Sequence, residues 1–433
     1  MRLWPRKRRW RLVALAALVA VLAVVARPTT HLVRTAMSDR DELRPLPAGW
    51  IDDASRMNET NIDEVWEMPP DEAISEEQLR KLLDRARREK LRVSIAGARH
   101  SMGGQTNARG GIQINMLPHN RMELDERNNL LHVQAGARWS EIIPYLDKRR
   151  RSVAVMQSNN SFTVGGSISV NCHGWQPNRP PMDSTVDSLR LMKADGEVVR
   201  CSRTENAELF SLVLGGYGLF GVILDADLRV VPNERYRVAQ FVVPTDRFIA
   251  TWDTKVGQLP QVGMACGRLS IVPGDSFLNE AILYVLTRDP LPSGELPALA
   301  EPRFQELTRT IFRGSVDSDY GKKVRWIAER DLQLRLKSAV VSRNQLLNEP
   351  AALLANRSQA STDILHEYFV PRSRFNDFLV RLREIIPKNG ADLLNVTVRD
   401  VREDHDSLLR YADCDMTSLV MLFNQRRTSE GDK

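Results

Sequence analysis

The sequence has little cysteine, little aromatic character and no strong excess of one charge along most of its length. Four cysteines in 433 residues exclude a small disulfide scaffold. No CxxC, HExxH or Walker spacing occurs, so nothing implies a zinc ribbon, a metalloprotease helix or a P-loop, and no metal ligands are assigned. Cys172, Cys201, Cys266 and Cys414 are widely separated. An even count permits disulfides in an exported protein, and scattered buried thiols fit equally well. There is no repeat at a fixed period. With 42% apolar residues the chain is neither disordered nor collagenous. At roughly 100–200 residues per domain its length allows two or three domains.

What charge there is sits at one end. The formal net charge is +6, from 61 basic and 55 acidic residues. Arg2, Arg6, Lys7, Arg8, Arg9 and Arg11 account for all of it, so the rest of the chain is balanced and gives no reason to invoke nucleic acid. Leu12–Ala26 follows without a polar side chain, giving the basic and apolar layout of a secretory signal or signal anchor. At about 1.5 Å per residue the run spans about two thirds of a ~30 Å bilayer core, so Trp10 and snorkelling arginines would have to complete a span. Val24 and Ala26 are suited to a cleavage site, but Arg27 and Pro28 disfavour cleavage. An uncleaved, single-pass anchor over 1–28 is the favoured reading, with the body on the non-cytoplasmic side. Residues 29–50, largely polar and ending in Pro45, Pro47 and Gly49, read as a linker.

Helical and strand patterns then mix without a βαβ rhythm, which predicts an α+β protein. Ser75-Glu76-Glu77-Gln78 forms a capping box ahead of Leu79, Leu82, Leu83 and Ala86, predicting a helix to about Lys90. Strands are predicted at 91–96, 112–116 and 130–134, and Asp195-Gly196 predicts a hairpin. Residues 206–214 read as a helix and 222–231 as a strand closed by Pro232. Residues 289–302, with four prolines, form an irregular excursion. Beyond it 308–338 is largely helical, and strands recur at 365–370, 391–401 and 418–423. Gly216-Tyr217-Gly218-Leu219-Phe220-Gly221 matches the dinucleotide fingerprint in spacing only, because the helix comes before it and the strand after. The Lys148–Arg151 run reads as a solvated helix end.

Two glycine-bearing turns about sixty residues apart carry the chemistry. The first is Ala96-Gly97-Ala98-Arg99-His100-Ser101-Met102-Gly103-Gly104-Gln105, after a strand. The second is Ser158-Asn159-Asn160-Ser161-Phe162-Thr163-Val164-Gly165-Gly166-Ser167-Ile168-Ser169-Val170-Asn171. Glycines let backbone N–H groups approach an anion closely, and Ser, Thr and Asn add hydrogen-bonding groups. Such turns suit a pyrophosphate. Alone, His100 would more often be an ordinary packed residue; it gains interest because both turns co-occur.

The first turn resembles the G-R-G-H-S-x-x-G-Q segment of flavoproteins related to vanillyl-alcohol oxidase, and the second resembles their T-V-G-G-[ST] loop. Gly215-Gly216-Tyr217-Gly218-Leu219-Phe220-Gly221-Val222-Ile223 is similar to the segment that closes their PCMH-type FAD-binding domain. The motifs are also similar to those of cytokinin dehydrogenases and aldonolactone or alditol oxidases. The resemblance implies a PCMH-type FAD-binding domain of two α/β subdomains over 51–233, and an α+β substrate cap over 234–433. It implies FAD contacts from Gly97, Arg99, His100, Ser101 and Gln105, then Asn159, Thr163, Val164, Gly165, Gly166, Ser167 and Asn171, and finally Gly221, Val222 and Ile223. His100 matches the histidine commonly joined to the flavin ring. Arg99 stands where many relatives have glycine, adding a bulky cation near an anionic cofactor. The cysteine of bicovalent members is replaced within Ser158–Ser161, so at most one covalent bond is expected.

This implies hydride removal from a small polar alcohol, lactone or amine, with oxygen or a quinone as acceptor. On one strand Asn395, Thr397 and Arg399 share a face, and Glu367 and Tyr368 point oppositely, so only one of them faces a pocket. Glu367 and Arg399 are the candidate catalytic residues, the alternative for Arg399 being a pairing with Asp400, Glu403 or another surface acid. Relatives usually continue past the strand near 419–423, which implies an incomplete cap with an unpaired edge and a wetter site. The competing reading is a membrane-tethered flavin-binding protein without turnover.

Overall fold

The computed structural model describes residues 25–40, 43–257, 259–289, 296–301, 304–332 and 340–428. The anchor expected over 1–28 lies outside them except for its last residues. No helix among the described residues is long and apolar enough to cross a membrane. Where a linker was expected, residues 25–38 are helical. The helix is held by contacts that no local pattern announces. His31 Nε2 lies 2.9 Å from the Gly314 carbonyl, its ring meets Tyr320 edge-on, and the Arg27 guanidinium sits 4.1 Å from the Tyr320 ring centre. Just beyond, Asp39 pairs with buried Arg309 at 2.8 Å.

Besides a short pairing of Trp50–Ile51 with Thr60–Asn61, the described part of the first half contains two larger sheets. Val93–Ala96 and Glu64–Glu67 flank Ile112–Asn115 in a parallel three-stranded sheet. The helix Glu72–Glu89 buries Leu79, Leu82, Leu83 and Ala86 in the adjoining core. Its cap is Asp71, which accepts from the Ile74 amide at 3.2 Å. The predicted cap, Ser75, lies inside the helix and donates to the Glu72 carbonyl. The second sheet is antiparallel and six-stranded, with the order Val198–Ser202, Val186–Met192, Val222–Pro232, Leu130–Gln134, Met122–Asp125 and a branch at Arg151–Val153. The Asp195-Gly196 hairpin forms as the sequence predicts, with Gly196 at φ +87°. The helix Ala207–Val213 precedes the glycine loop and the strand Val222–Pro232 follows it, the reverse of a dinucleotide fingerprint.

The second half is a seven-stranded antiparallel sheet, ordered Val340–Ser342, Arg235–Pro244, Glu280–Arg288, Val262–Leu269, Asp392–Val401, Met416–Arg426, Ser361–Pro371. The helices Phe248–Lys255 and Phe375–Lys388 cover one face, packing Phe248, Trp252, Phe375 and Leu379 on Val396, Val398, Leu419 and Met421. By strand alternation the other face carries Gln240, Tyr284, Arg268, Thr397, Arg399, Ser418 and Glu367. It turns toward the first half, whose core extends into it through Tyr236, Met264 and Leu286. The α+β class therefore holds.

The edge expected beside the last strand falls on Ser361–Pro371, which among the described residues pairs with Met416–Arg426 alone. Met416–Arg426 lies inside the sheet, and the edge strand Ser361–Pro371 is met by the first half. The Leu365 amide donates to Met102 Sδ at 3.3 Å, the Thr362 hydroxyl to the Ser55 carbonyl, and Arg56 to the carbonyls of Ser358 and Ser361.

Candidate cofactor and active site

Both glycine turns and the Gly216–Gly221 loop converge on one cavity of about 670 Å³, within the size range of cofactor sites. The strand Val93–Ala96 delivers the first turn, and the short helix Val164–Ser169 anchors the second. They interlock at one point, where a Cβ on Gly97 would lie 2.1 Å from Thr163 Oγ1. Thr163 also caps the helix, accepting from the Gly166 amide at 3.3 Å.

The residues present fit a large anionic cofactor. The amides of Ala98, Arg99, His100 and Ser101 donate to no protein acceptor among the described residues. Arg99 adopts φ +55°, so this run of free N–H groups bends as anion-binding backbone does. The Arg99 guanidinium donates to Gln113 Oε1 at 2.9 and 2.7 Å. A neutral amide does not cancel its charge, and no carboxylate among the described residues pairs with it, so a cation stays on the cavity wall. Ser94 and Ser101, also on that wall, have buried hydroxyls without a partner. The Val164 and Gly165 amides are already used by the carbonyls of Ala137 and Ala135, so the second turn contributes close approach more than free donors.

His100 lines the cavity with its ring 4.7 Å from that of Phe162, and burial pushes its pKa down. Gln105, Gly165, Gly166, Gly221 and Ile223 also line it. Five expected contacts do not. Val164 and Val222 are buried in the core. Ser167 is held by Trp139 Nε1, Gln157 and the Thr163 carbonyl. Asn159 reaches the Glu349 carbonyl. Asn171, at φ +47°, donates to Asp404 Oδ2 and accepts from the Asp183 amide, which ties the two halves together. Residues that the motifs did not single out complete the wall, among them Phe162, Ser169, Val170, Tyr217 and Leu219. Tyr217 and Leu219 stand in a matched motif and are exposed, the signal that could have found them.

Glu367 and Arg399 do not line this cavity. They form a second cluster, between the halves, with a histidine that sequence reasoning missed. Glu367 Oε1 accepts from His173 Nε2 at 2.6 Å and from Ser418 Oγ at 2.6 Å. Arg399 donates to the His173 carbonyl at 3.1 Å and to Ser158 Oγ at 2.7 Å, so it faces the site instead of a surface acid. Burial opposes the charge on Glu367, but His173, Arg399 and Ser418 outweigh it and hold the carboxyl down at about 2. Tyr368 points the other way, toward Phe378. Asn395 donates to Thr397 at 3.3 Å, and Thr397 accepts from Arg268, itself paired with Glu329 at 2.9 Å. Cys172, Cys201 and Cys266 are buried free thiols, and Cys414 is exposed and free.

Residues 72–202 match the family described as FAD binding domain. The chain is 31% identical over 157 residues to L-gulonolactone oxidase of Mus musculus, covering 36% of each chain. It is 33% identical over 137 residues to cytokinin dehydrogenase 2 of Arabidopsis thaliana, covering 31% of this chain and 27% of the relative. A putative D-arabinono-1,4-lactone oxidase of Neurospora crassa is 26% identical over 195 residues, covering 45% of this chain and 34% of the relative. The matched stretch spans about a third of the length of these relatives. Set beside the glycine turns, the free amides and His100 on one cavity wall, these likenesses identify an FAD-binding domain over residues 72–202 that is similar to the corresponding part of these oxidoreductases.

Proposed function

We propose that this chain is an FAD-dependent oxidoreductase that removes hydride from a small polar substrate, a sugar alcohol, an aldonolactone or a related alcohol or amine. The observation that carries the reading is the cavity lined by free amides and His100, and a His173–Glu367–Arg399 cluster at the junction of the two halves supports it. Bound FAD supplies the two-electron acceptor. The amides of Ala98 to Ser101 and the Arg99 cation hold its anionic part, and His100 is the point of covalent attachment. Glu367, held at about 2, is a fixed anion and a poor base. It orients His173, whose Nδ1 is buried without a partner and is the atom that takes the substrate proton. Arg399 fixes the other side of the cluster. The relatives named for aldonolactones and cytokinins support a polar substrate of this size.

The visible spectrum tests this. The purified protein should be yellow, and its colour should remain with the pellet after acid precipitation and stay in the supernatant for His100→Ala. Colour lost from the wild type removes the covalent link, and a protein that takes up no FAD removes the whole reading. Anaerobic bleaching by one of a panel of polyols, aldonolactones and adenine-type amines separates an enzyme from a flavin-binding protein without turnover. Reoxidation by air or by a quinone then identifies the acceptor. We propose further that Arg2–Ala26 anchors the chain in a membrane with the body on the non-cytoplasmic side. Retention in the pellet after carbonate extraction supports this, and release contradicts it.

A further inference from the structure

The helix Gln305–Arg313 is built inside out. Its buried face carries Arg309 and Arg313, 3% and 6% exposed, beside Phe312. Both arginines are matched by buried acids, Arg309 by Asp39 at 2.8 Å and Arg313 by Asp363 at 2.5 Å. Its apolar residues look outward. Phe304, Leu307 and Ile311 are 77%, 52% and 37% exposed and recur at i, i+3 and i+7, one stripe along the helix. A helix turned to water normally places these residue types the other way round.

The neighbouring helix repeats the pattern. Residues 25–38 lie alongside, with His31 at Gly314 and Asp39 at Arg309, so the two helices run side by side. This helix also turns apolar residues outward, Val33 and Met37 being 52% and 61% exposed. Asp39, the one acid within 25–40, is consumed by Arg309, while Arg27 and Arg34 remain exposed. The adjoining surface is therefore apolar, with Arg27 and Arg34 on the first helix and Glu306, paired with Arg357 at 2.8 Å, on the second. In sequence the helix follows the apolar run Leu12–Ala26, so a bilayer seat for that run would bring this surface near the headgroups.

We infer that the outward faces of these two helices form a contact with an anionic lipid surface, with Phe304, Leu307 and Ile311 sunk among the headgroups beside the anchor. Exposed apolar patches rimmed by basic residues bind in this way, because apolar burial and attraction to anionic headgroups add. This rests on the anchoring reading above and specifies which face of the cap meets the membrane.

The test uses the full chain in a Cys414→Ser background, since the other three cysteines are buried. A polarity-sensitive fluorophore is placed through Leu307→Cys or, as a control, Val380→Cys, which is exposed on the helix Phe375–Lys388. Vesicles of phosphatidylglycerol and phosphatidylethanolamine are added, with and without a headgroup-linked quencher. The expected result is a blue shift and quenching at 307 and neither at 380. A chain that binds the vesicles but leaves position 307 in water overturns this inference alone. A chain that stays off them overturns the anchoring reading as well. Blue-shifted emission at 307 before vesicles are added shows the face covered by protein, from this chain or a second copy, and also overturns the inference.

Discussion

At Gly97 a single methyl group would decide whether the cofactor site exists. Its Cβ would meet Thr163 Oγ1 at 2.1 Å, the same oxygen that caps Val164–Ser169, so the added atom opens the cavity wall and uncaps the helix together. Gly97→Ala is expected to fold and to purify without colour, checked by absorbance near the flavin band beside circular dichroism. Glu367 makes a different kind of prediction. Its carboxyl sits near 2 against an ordinary 4.5, so its ionic contacts stabilise the fold fully above about pH 4.5 and are lost as the pH falls toward 2. Glu367→Gln should flatten the loss of stability between those limits, read by denaturation at stepped pH. Without the anion that orients His173, turnover should fall roughly 10²- to 10⁴-fold, the usual range for a disabled proton transfer. Asn171 shows why a residue can match a motif and still be misassigned. Its partners Asp404 and Tyr411 lie more than 230 residues downstream, and nothing local marks them. His173 was invisible for the same reason, because its significance comes from Glu367, 194 residues away.

Among elements, the predictable ones are those whose signals are local. The Asp195-Gly196 hairpin, the amphipathic Glu72–Glu89 and the order of helix, glycine loop and strand at 207–232 follow from turn chemistry and periodicity. The helix over 25–38 does not. Its own residues are mixed and exposed, and it is held by a histidine, an arginine and Asp39 that act through Gly314, Tyr320 and Arg309. Gly321 and Gly314 are part of that seat, since a Cβ on Gly321 would come within 1.7 Å of the Gly314 carbonyl oxygen. Removing Asp39 leaves Arg309 buried with Glu306, 3.6 Å away, as its remaining acid. Asp39→Ala should therefore destabilise the chain by about 3 kcal/mol, the lower part of the range for a broken buried pair. Chemical denaturation measures this, and a change under about 1 kcal/mol would mean that the pair is solvated.

Across the whole molecule, polar contacts join the two halves beside the apolar core that they share. Asn171 with Asp404, His173 with Glu367, Arg399 with Ser158, and Arg56 with Ser358 and Ser361 all bridge them. Burial and the neighbouring Asp404 push the Asp183 carboxyl upward, so this junction holds a proton that the unfolded chain would release. The sign follows directly: a raised acid stabilises below its ordinary range and loses that contribution as the pH rises through its folded value. Asp183→Asn, which needs no proton, should be relatively more stable than wild type in alkaline buffer, as thermal melts across pH will show.

The order of the cap sheet also constrains how the protein is made. Among the described residues, Ser361–Pro371, which carries Glu367, joins the sheet through Met416–Arg426 alone. A ribosome therefore releases Ser361–Pro371 well before the strand that joins it to the sheet emerges. Until then the strand bearing Glu367 waits unpaired, exposed to chaperones and to pairing with other nascent chains. Completion of the His173–Glu367 cluster thus waits for Met416–Arg426, and slow codons or a stall shortly before Met416 would prolong the interval in which this protein is most prone to aggregate.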